Sequence, residues 1–196
     1  MSTITDFITN IKGEVARPKL FDVVIGIPSG LQTFFTEKKQ YLAPEIAILK
    51  YKAESTNIPG RTFATTEQKF GSNPAEKHAY HTTYNDVDIT FIITEDAITQ
   101  SEQQVRRVGA KGLKEKRLFD DWMDYINPTN SYDFQYKNNY QGTIKINQYD
   151  HHGTNIFSVE LQDAFPISVN QLDLDWSSDG YHKLNVTFAY TRWITS

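Results

Sequence analysis

The sequence predicts a mainly β fold, an antiparallel β-sandwich or barrel with one main flanking α-helix, and three observations support it. Aromatic residues make up 13% of the 196 residues, with 11 Tyr and 12 Phe, and flat rings pack well on a pleated sheet. Between Asp86 and Thr94 the chain alternates: Val87, Ile89, Phe91 and Ile93 face one way, and Asp86, Asp88, Thr90 and Thr94 the other. That is the period of a strand with one buried face. The stretch from Phe165 to Trp193 reads as two such arms around a turn from Ser177 to Gly180, so the chain is expected to close on a β-hairpin.

Taken in order, the elements begin with Ile4, Phe7, Ile8 and Ile11 at i, i+3, i+4 and i+7, one face of a short amphipathic helix over about residues 3–12. Ser2 or Thr3 can cap its start and Gly13 its end. After Arg17-Pro18, residues 19–27 read as a strand stopped by the Pro28-Ser29-Gly30 turn signal. Leu31 to Lys39 is expected as a second strand of a hairpin and Ala47 to Ala53 as a third. The polar, His-bearing span from Asn57 to about Asn85 reads as an extended loop. Leu118, Phe119, Trp122, Met123 and Ile126 recur at helical spacing until Asn127-Pro128, because proline cannot continue a helix. The remaining expected strands are Gly142 to Tyr149, Ile156 to Gln162, Gln171 to Trp176 and Leu184 to Trp193, with a turn at Asp150-His151-His152-Gly153. No internal repeat or low-complexity tract stands out.

Composition narrows the functional classes. A chain of this length buries about 70% of its unfolded surface without needing a disulfide or metal. With no Cys, disulfides, thiolate metal sites and cysteine nucleophiles are excluded. The net charge is −4 and the pI about 5.7, so the chain lacks the basic footprint of a phosphate-backbone binder. No apolar run approaches the roughly 18 residues of a membrane helix, and the start lacks a signal-peptide pattern.

Few residues are placed for chemistry. His78 and His81 are three apart but no third ligand is evident in the sequence, and His151, His152 and His182 fall in or beside turns. Asp120 and Asp121 point about 100° apart on a helix, so they cannot share one proton as a catalytic dyad does. There is no glycine-rich phosphate loop and no nucleophile elbow. Two local features remain. Arg106, Arg107, Lys111, Lys114, Lys116 and Arg117 stand against the single acid Glu115, a basic patch on an acidic chain. Tyr132, Phe134, Tyr136 and Tyr140 lie among Asn residues, expected as a strand edge or hairpin, with sugar stacking as the alternative.

Several spaced motifs together resemble the tail tube protein of T4-like contractile-tailed bacteriophages. They are Ala16-Arg17-Pro18-Lys19-Leu20-Phe21, Lys52-Ala53 ahead of Ile58-Pro59, the strand from Asp88 to Thr94, and Phe119-Asp120-Asp121-Trp122. Phe165-Pro166-Ile167-Ser168-Val169, Leu172-Asp173-Leu174-Asp175-Trp176-Ser177 and the final Tyr190-Thr191-Arg192-Trp193 complete the series. The resemblance implies a β-sandwich flanked by a helix, six copies forming a ring whose inner strands join into one β-barrel. Rings then stack into a tube inside a contractile sheath, and DNA leaves through the lumen. Six copies at −4 each carry roughly −24 per ring, and a lumen of like sign lets DNA slide.

It also implies partners: further copies of the chain, the sheath, baseplate or tail-end proteins, and DNA in transit, with no membrane binding by this chain, no cofactor and no metal. The expected location is the virion tail, after assembly in the host cytoplasm. Residues 1–196 are expected as one tail-tube domain, longer than its relatives near residues 26–49 and 97–114. Candidate self-assembly contacts are Ile4, Phe7, Ile8, Arg17 and Pro18, together with the loop from about Glu54 to Asn85. Arg106, Arg107, Lys111 and Lys114 are a candidate partner-contacting patch. Trp122, Trp176, Phe188 and Trp193 are expected in the core. An enzyme is not expected. The alternatives are a tube-initiating or tube-capping protein of the same fold, the tube of a phage-derived injection machine, and a carbohydrate-binding β-sandwich using Tyr132 to Tyr140.

Overall fold

The computed structural model describes residues 17–39, 47, 49–94, 113–177 and 179–195. The expected N-terminal helix, with Ile4, Phe7 and Ile8, lies outside the described residues, as do Arg106, Arg107 and Lys111. The described strands are β1 (Phe21–Gly26), β2 (Ala53–Thr56), β3 (Thr62–Gln68), β4 (Glu76–Thr83), β5 (Val87–Ile92), β6 (Gly142–Tyr149), β7 (Asn155–Val169), β8 (Lys183–Ala189) and β9 (Arg192–Thr195). The helices are α1 (Ser29–Thr33), which runs into a π-helical turn (Phe34–Lys38), then α2 (Leu49–Lys52), α3 (Lys114–Ile126) and α4 (Lys137–Tyr140).

Seven strands form one antiparallel sheet in the order β1-β6-β7-β8-β5-β2, with β9 also on β7. Among the described residues it stays open and does not close into a barrel. The 15-residue β7 belongs to both halves of this sheet. Its first part lies between β6 and β9, and its last residues pair with β8. The change of neighbours falls at Asp163, which has φ 58° and is the extra residue where Gly142 faces Ala164 but Thr143 faces Gln162. A bulge of this kind bends the strand and increases its twist, and here it turns one half of the sheet away from the other. The interruption at Tyr190 and Thr191, between β8 and β9, lies opposite that bend, and the Thr191 amide still donates to the Gln162 carbonyl at 3.0 Å.

Alternation decides which faces meet. Val87, Ile89 and Phe91 on β5 lie opposite Phe188, Val186 and Leu184 on β8, and all six are buried. Val23, Ile144, Ile146, Val159 and Leu161 supply the other half of the same core. The helix α3 closes it with Leu118, Phe119, Trp122 and Ile126, at the i, i+1, i+4 and i+8 spacing that puts an apolar stripe on one side. Phe119 sits between Phe91 and Phe188, with ring centroids at 5.1 and 5.9 Å. Trp122 meets Phe188 edge-on, and its indole N–H donates to the Tyr140 carbonyl at 3.1 Å.

Close backbone approach fixes one position. At the joint of β1 and β6, a Cβ on Gly142 would stand 2.3 Å from the Gly26 carbonyl oxygen. Gly142→Ala is therefore expected to push these strands apart and cost about 1–3 kcal/mol, as overpacking does. Urea denaturation would show this as a lower midpoint at unchanged slope.

Several expected elements differ in the structure. Leu31 to Lys39 is not a strand but α1 and its π-helical turn, because Leu31, Phe34 and Phe35 repeat at i, i+3 and i+4 and turn inward together. Most of Ala47 to Ala53 is helical as well, with β2 starting only at Ala53. The expected loop before Asn85 is instead a β-hairpin, β3 with β4. Gln171 to Trp176 is not a strand. Pairing of β7 with β8 ends where the Asn170 side chain accepts the Asn185 amide at 2.8 Å. Beyond it, Asp175 takes the Ser177 amide and hydroxyl, each at 2.9 Å, in a side-chain-closed turn.

Trp176, expected in the core, is consequently fully exposed, at 105% of its reference surface. Residues 127–136 are irregular, so Tyr132, Phe134 and Tyr136 form neither a strand edge nor a hairpin. Asp121 pairs with Lys39 at 2.7 Å and is mostly covered.

Candidate functional site

Sheet edges and strands left without partners in the single chain are its candidate contact surfaces. Four edges of the main sheet are incomplete among the described residues: β1 bonds only to β6, β2 only to β5, β9 only to β7, and β7 beyond Ala164 only to β8. Such edges present unpaired N–H and C=O groups and act as templates for another strand.

The hairpin of β3 and β4 is the second such surface. Neither strand pairs with the main sheet, and no residue from Thr62 to Thr83 contributes to the buried core. Strands of 7 and 8 residues extend about 25 Å at 3.3 Å per residue. Phe63, Phe70 and Tyr80 lie half to two-thirds exposed along it. Its root is fixed: the Trp193 indole N–H donates to the Gly60 carbonyl at 3.2 Å, and the Arg61 guanidinium lies over the Phe63 and Trp193 rings. Tyr84 meets Tyr190 on the other arm, at 6.1 Å between centroids. Trp193, half-buried against the edge of the core, thus also anchors the hairpin.

Two charged ties hold the β2 edge. The Lys52 ammonium donates to Glu115 Oε1 and, at 2.7 Å, to the Thr94 hydroxyl, which itself donates to Glu115 Oε1 at 3.2 Å. Glu115 is 2% exposed. Two residues on from Lys52, Glu54 Oε1 accepts from the Tyr181 hydroxyl at 2.9 Å and from Lys183 at 2.6 Å. These two donors, Lys183 first, hold the Glu54 carboxyl below its ordinary range, and Glu54 raises Lys183 in return.

A separate polar chain lies where β1, β6 and β7 run side by side. Asp22 accepts from Asn147 at 2.7 Å and from the Tyr149 hydroxyl at 3.1 Å. Ser158 donates to Asn147, and Asn155 to Ser158, both at 2.7 Å. Burial, then the Asp22 carboxylate, pushes the Tyr149 phenol up.

Of the residues singled out in the sequence, Trp122 and Phe188 are fully buried and Trp193 half-buried. Arg17 and Pro18 are exposed just before β1. Lys114 opens α3 and is half-buried. His78 and His81 lie on β4, and no cluster of three or more His, Cys, Asp or Glu suited to a metal ion occurs among the described residues. No described helix is long and apolar enough to cross a membrane. The ties at Lys52 and Glu54 were missed, since neither residue belongs to a periodic pattern. Only Lys52-Ala53 in the family resemblance marks the spot.

The fold is that of tube proteins from contractile injection systems. A chain of the sheath–tube complex of an extracellular contractile injection system, PVC, in its extended state is 14% identical, with 96% of each chain covered and a TM-score of 0.57. A chain of the anti-feeding prophage baseplate is 12% identical over 94% of this chain and 97% of that one, with a TM-score of 0.58. A chain of the anti-feeding prophage tube-terminating cap is 14% identical over 94% and 92%, with a TM-score of 0.57. The comparison with curated proteins found no match. A family model described as phage tail tube protein matches residues 16–196, and the chain belongs to that family.

Proposed function

We propose that this chain is the repeating subunit of a tail tube. Six copies close into a ring, rings stack into a hollow conduit inside a contractile sheath, and DNA passes through the lumen. The observation that carries this reading is the open sheet, with free edges at β2 and at the end of β7 in one molecule. Joining the first edge of one copy to the second edge of the next is a head-to-tail contact. Such contacts generate rings when the rotation closes, and closure removes the edges. The hairpin of β3 and β4, long and without a core of its own, supports contact with a neighbouring ring.

The function is geometric and no reaction is assigned. Residues 1–196 act as one tail-tube domain. The longer stretch at 26–49 is integral to it, since Leu31, Phe35 and Leu49 are buried in the core. The sheath, the baseplate and tail-end proteins are the partners outside the tube, and the tail is the location. Arg17 and Pro18 stay among the candidate contacts, and the patch of Arg106, Arg107, Lys111 and Lys114 is the candidate surface for an acidic partner. Related complexes include a terminator as well as a tube, so an end-capping role on the same fold is the second reading.

Electron microscopy of the concentrated, purified protein and of native tails tests both. Six-fold rings stacked into tubes of open length are expected. Single rings that never stack identify a cap, and the absence of both rings and tubes overturns the proposal.

A further inference from the structure

Strand β2 is a weak element in an exposed place. It has four residues, its pairing with β5 slips between Ala53 and Ser55, and nothing described pairs with its outer edge. Short edge strands of this kind fray, yet strand addition needs a fixed template. Two ties act at this point and neither uses the outward backbone groups. Lys52 joins the start of β2 to Thr94, just past β5, and to Glu115 in the first turn of α3. Glu54, the residue at the slip, is held by Tyr181 and Lys183 at the start of β8.

The patch is also short of donors in the single chain. Five buried side-chain atoms without a hydrogen-bond partner occur among the described residues, and three of them are here: Glu54 Oε2, Thr56 Oγ1 and Glu115 Oε2. Buried carboxylate oxygens left unpaired are costly. A buried ion pair is better understood as a device for specificity than for stability. An incoming strand brings backbone N–H donors to this edge, and the occupant is a second copy because the same molecule carries a free edge at the end of β7 that can supply the strand.

We infer that Lys52 and Glu54 are positioning residues, which hold the free edge of β2 in the register that a second copy pairs with. The assembly part of this inference rests on the tube reading above, but the tie itself does not. Hydrogen exchange on the full-length protein separates the two. Lys52→Met and Glu115→Gln are each expected to speed amide exchange in a peptide covering residues 53–56 by about tenfold. Peptides from β6 and the first half of β7 should stay at wild-type rates. The double variant should exchange no faster than either single, as for two halves of one interaction.

Tyr181→Phe removes one hydroxyl and leaves the fold undisturbed, so it tests the second tie without risk of unfolding. It should give a smaller rise confined to the same peptide. In the microscope these variants should form fewer rings in the same order. Unchanged exchange at 53–56, or an equal rise throughout the sheet, overturns the inference. If the wild type forms no rings while the exchange pattern holds, the tie stands and the tube reading fails.

Discussion

Trp122→Ala is expected to lower the stability of the chain by about 3–5 kcal/mol, the usual range for emptying a buried aromatic site. The ring is fully buried, stands edge-on to Phe188 and holds the Tyr140 carbonyl through its indole N–H. Alanine removes apolar burial, an aromatic contact and a hydrogen bond together, and leaves a cavity between α3 and the sheet. Domains of this size shift by about 2–4 °C per kcal/mol, so the melting temperature should fall by roughly 6–20 °C. Trp122→Phe divides the effect, since it keeps most of the apolar surface but leaves the Tyr140 carbonyl without its donor, at about 1–3 kcal/mol. Denaturant midpoints at constant slope would measure both. An alanine variant within 1 kcal/mol of the wild type would show that α3 is not the lid of the core.

That core was legible in the sequence because its parts carry an unambiguous period. The alternation of β5 and of β8, and the helical stripe of α3, each place large side chains on one face over two or more repeats. The failures share a cause as well. In Leu31 to Lys39 and Ala47 to Ala53 the apolar residues are few and the span short, so β-branched and aromatic content outweighed a helical spacing that tertiary packing then enforced. Leu172, Leu174 and Trp176 alternate well with Asp173 and Asp175, but a strand exists only beside a partner. Asn170 ends the pairing by accepting the Asn185 amide, Asp175 closes a local turn on Ser177, and the end of the first arm of the expected hairpin becomes an exposed loop. Alternation shows which side chains share a face, and it does not show whether anything will cover that face.

The candidate assembly surfaces were legible only in outline. The span from Glu54 to Asn85 stood out in the sequence only as a candidate contact loop, and its polarity disguised two well-formed strands. Its pairing comes from cross-strand partners such as Thr66 with His78 and Glu67 with Lys77, which no single-strand pattern shows. The ties at Lys52 and Glu54 depend on Thr94, Glu115, Tyr181 and Lys183. Those partners lie tens of residues away, and only the fold brings them together.

Replacing Thr62 to Thr83 with a short Gly-Ser link is expected to abolish tube formation while leaving the subunit folded. Thr62 and Thr83 are paired in register, and paired strands stand about 5 Å apart, so Arg61 and Tyr84 can be joined without moving the root. The segment supplies no buried core residue, and an isolated two-stranded ribbon is marginal in water. Its removal should therefore shift the melting temperature by no more than about 4 °C, the equivalent of 1 kcal/mol at this size. Trp193 keeps its contact with Gly60 in this variant, so the end of the chain is undisturbed. Microscopy of the variant then distinguishes two roles. Single rings without stacking place the hairpin between rings, and isolated subunits place it within the ring. Tubes of normal length from a correctly folded variant would refute an assembly role for the hairpin.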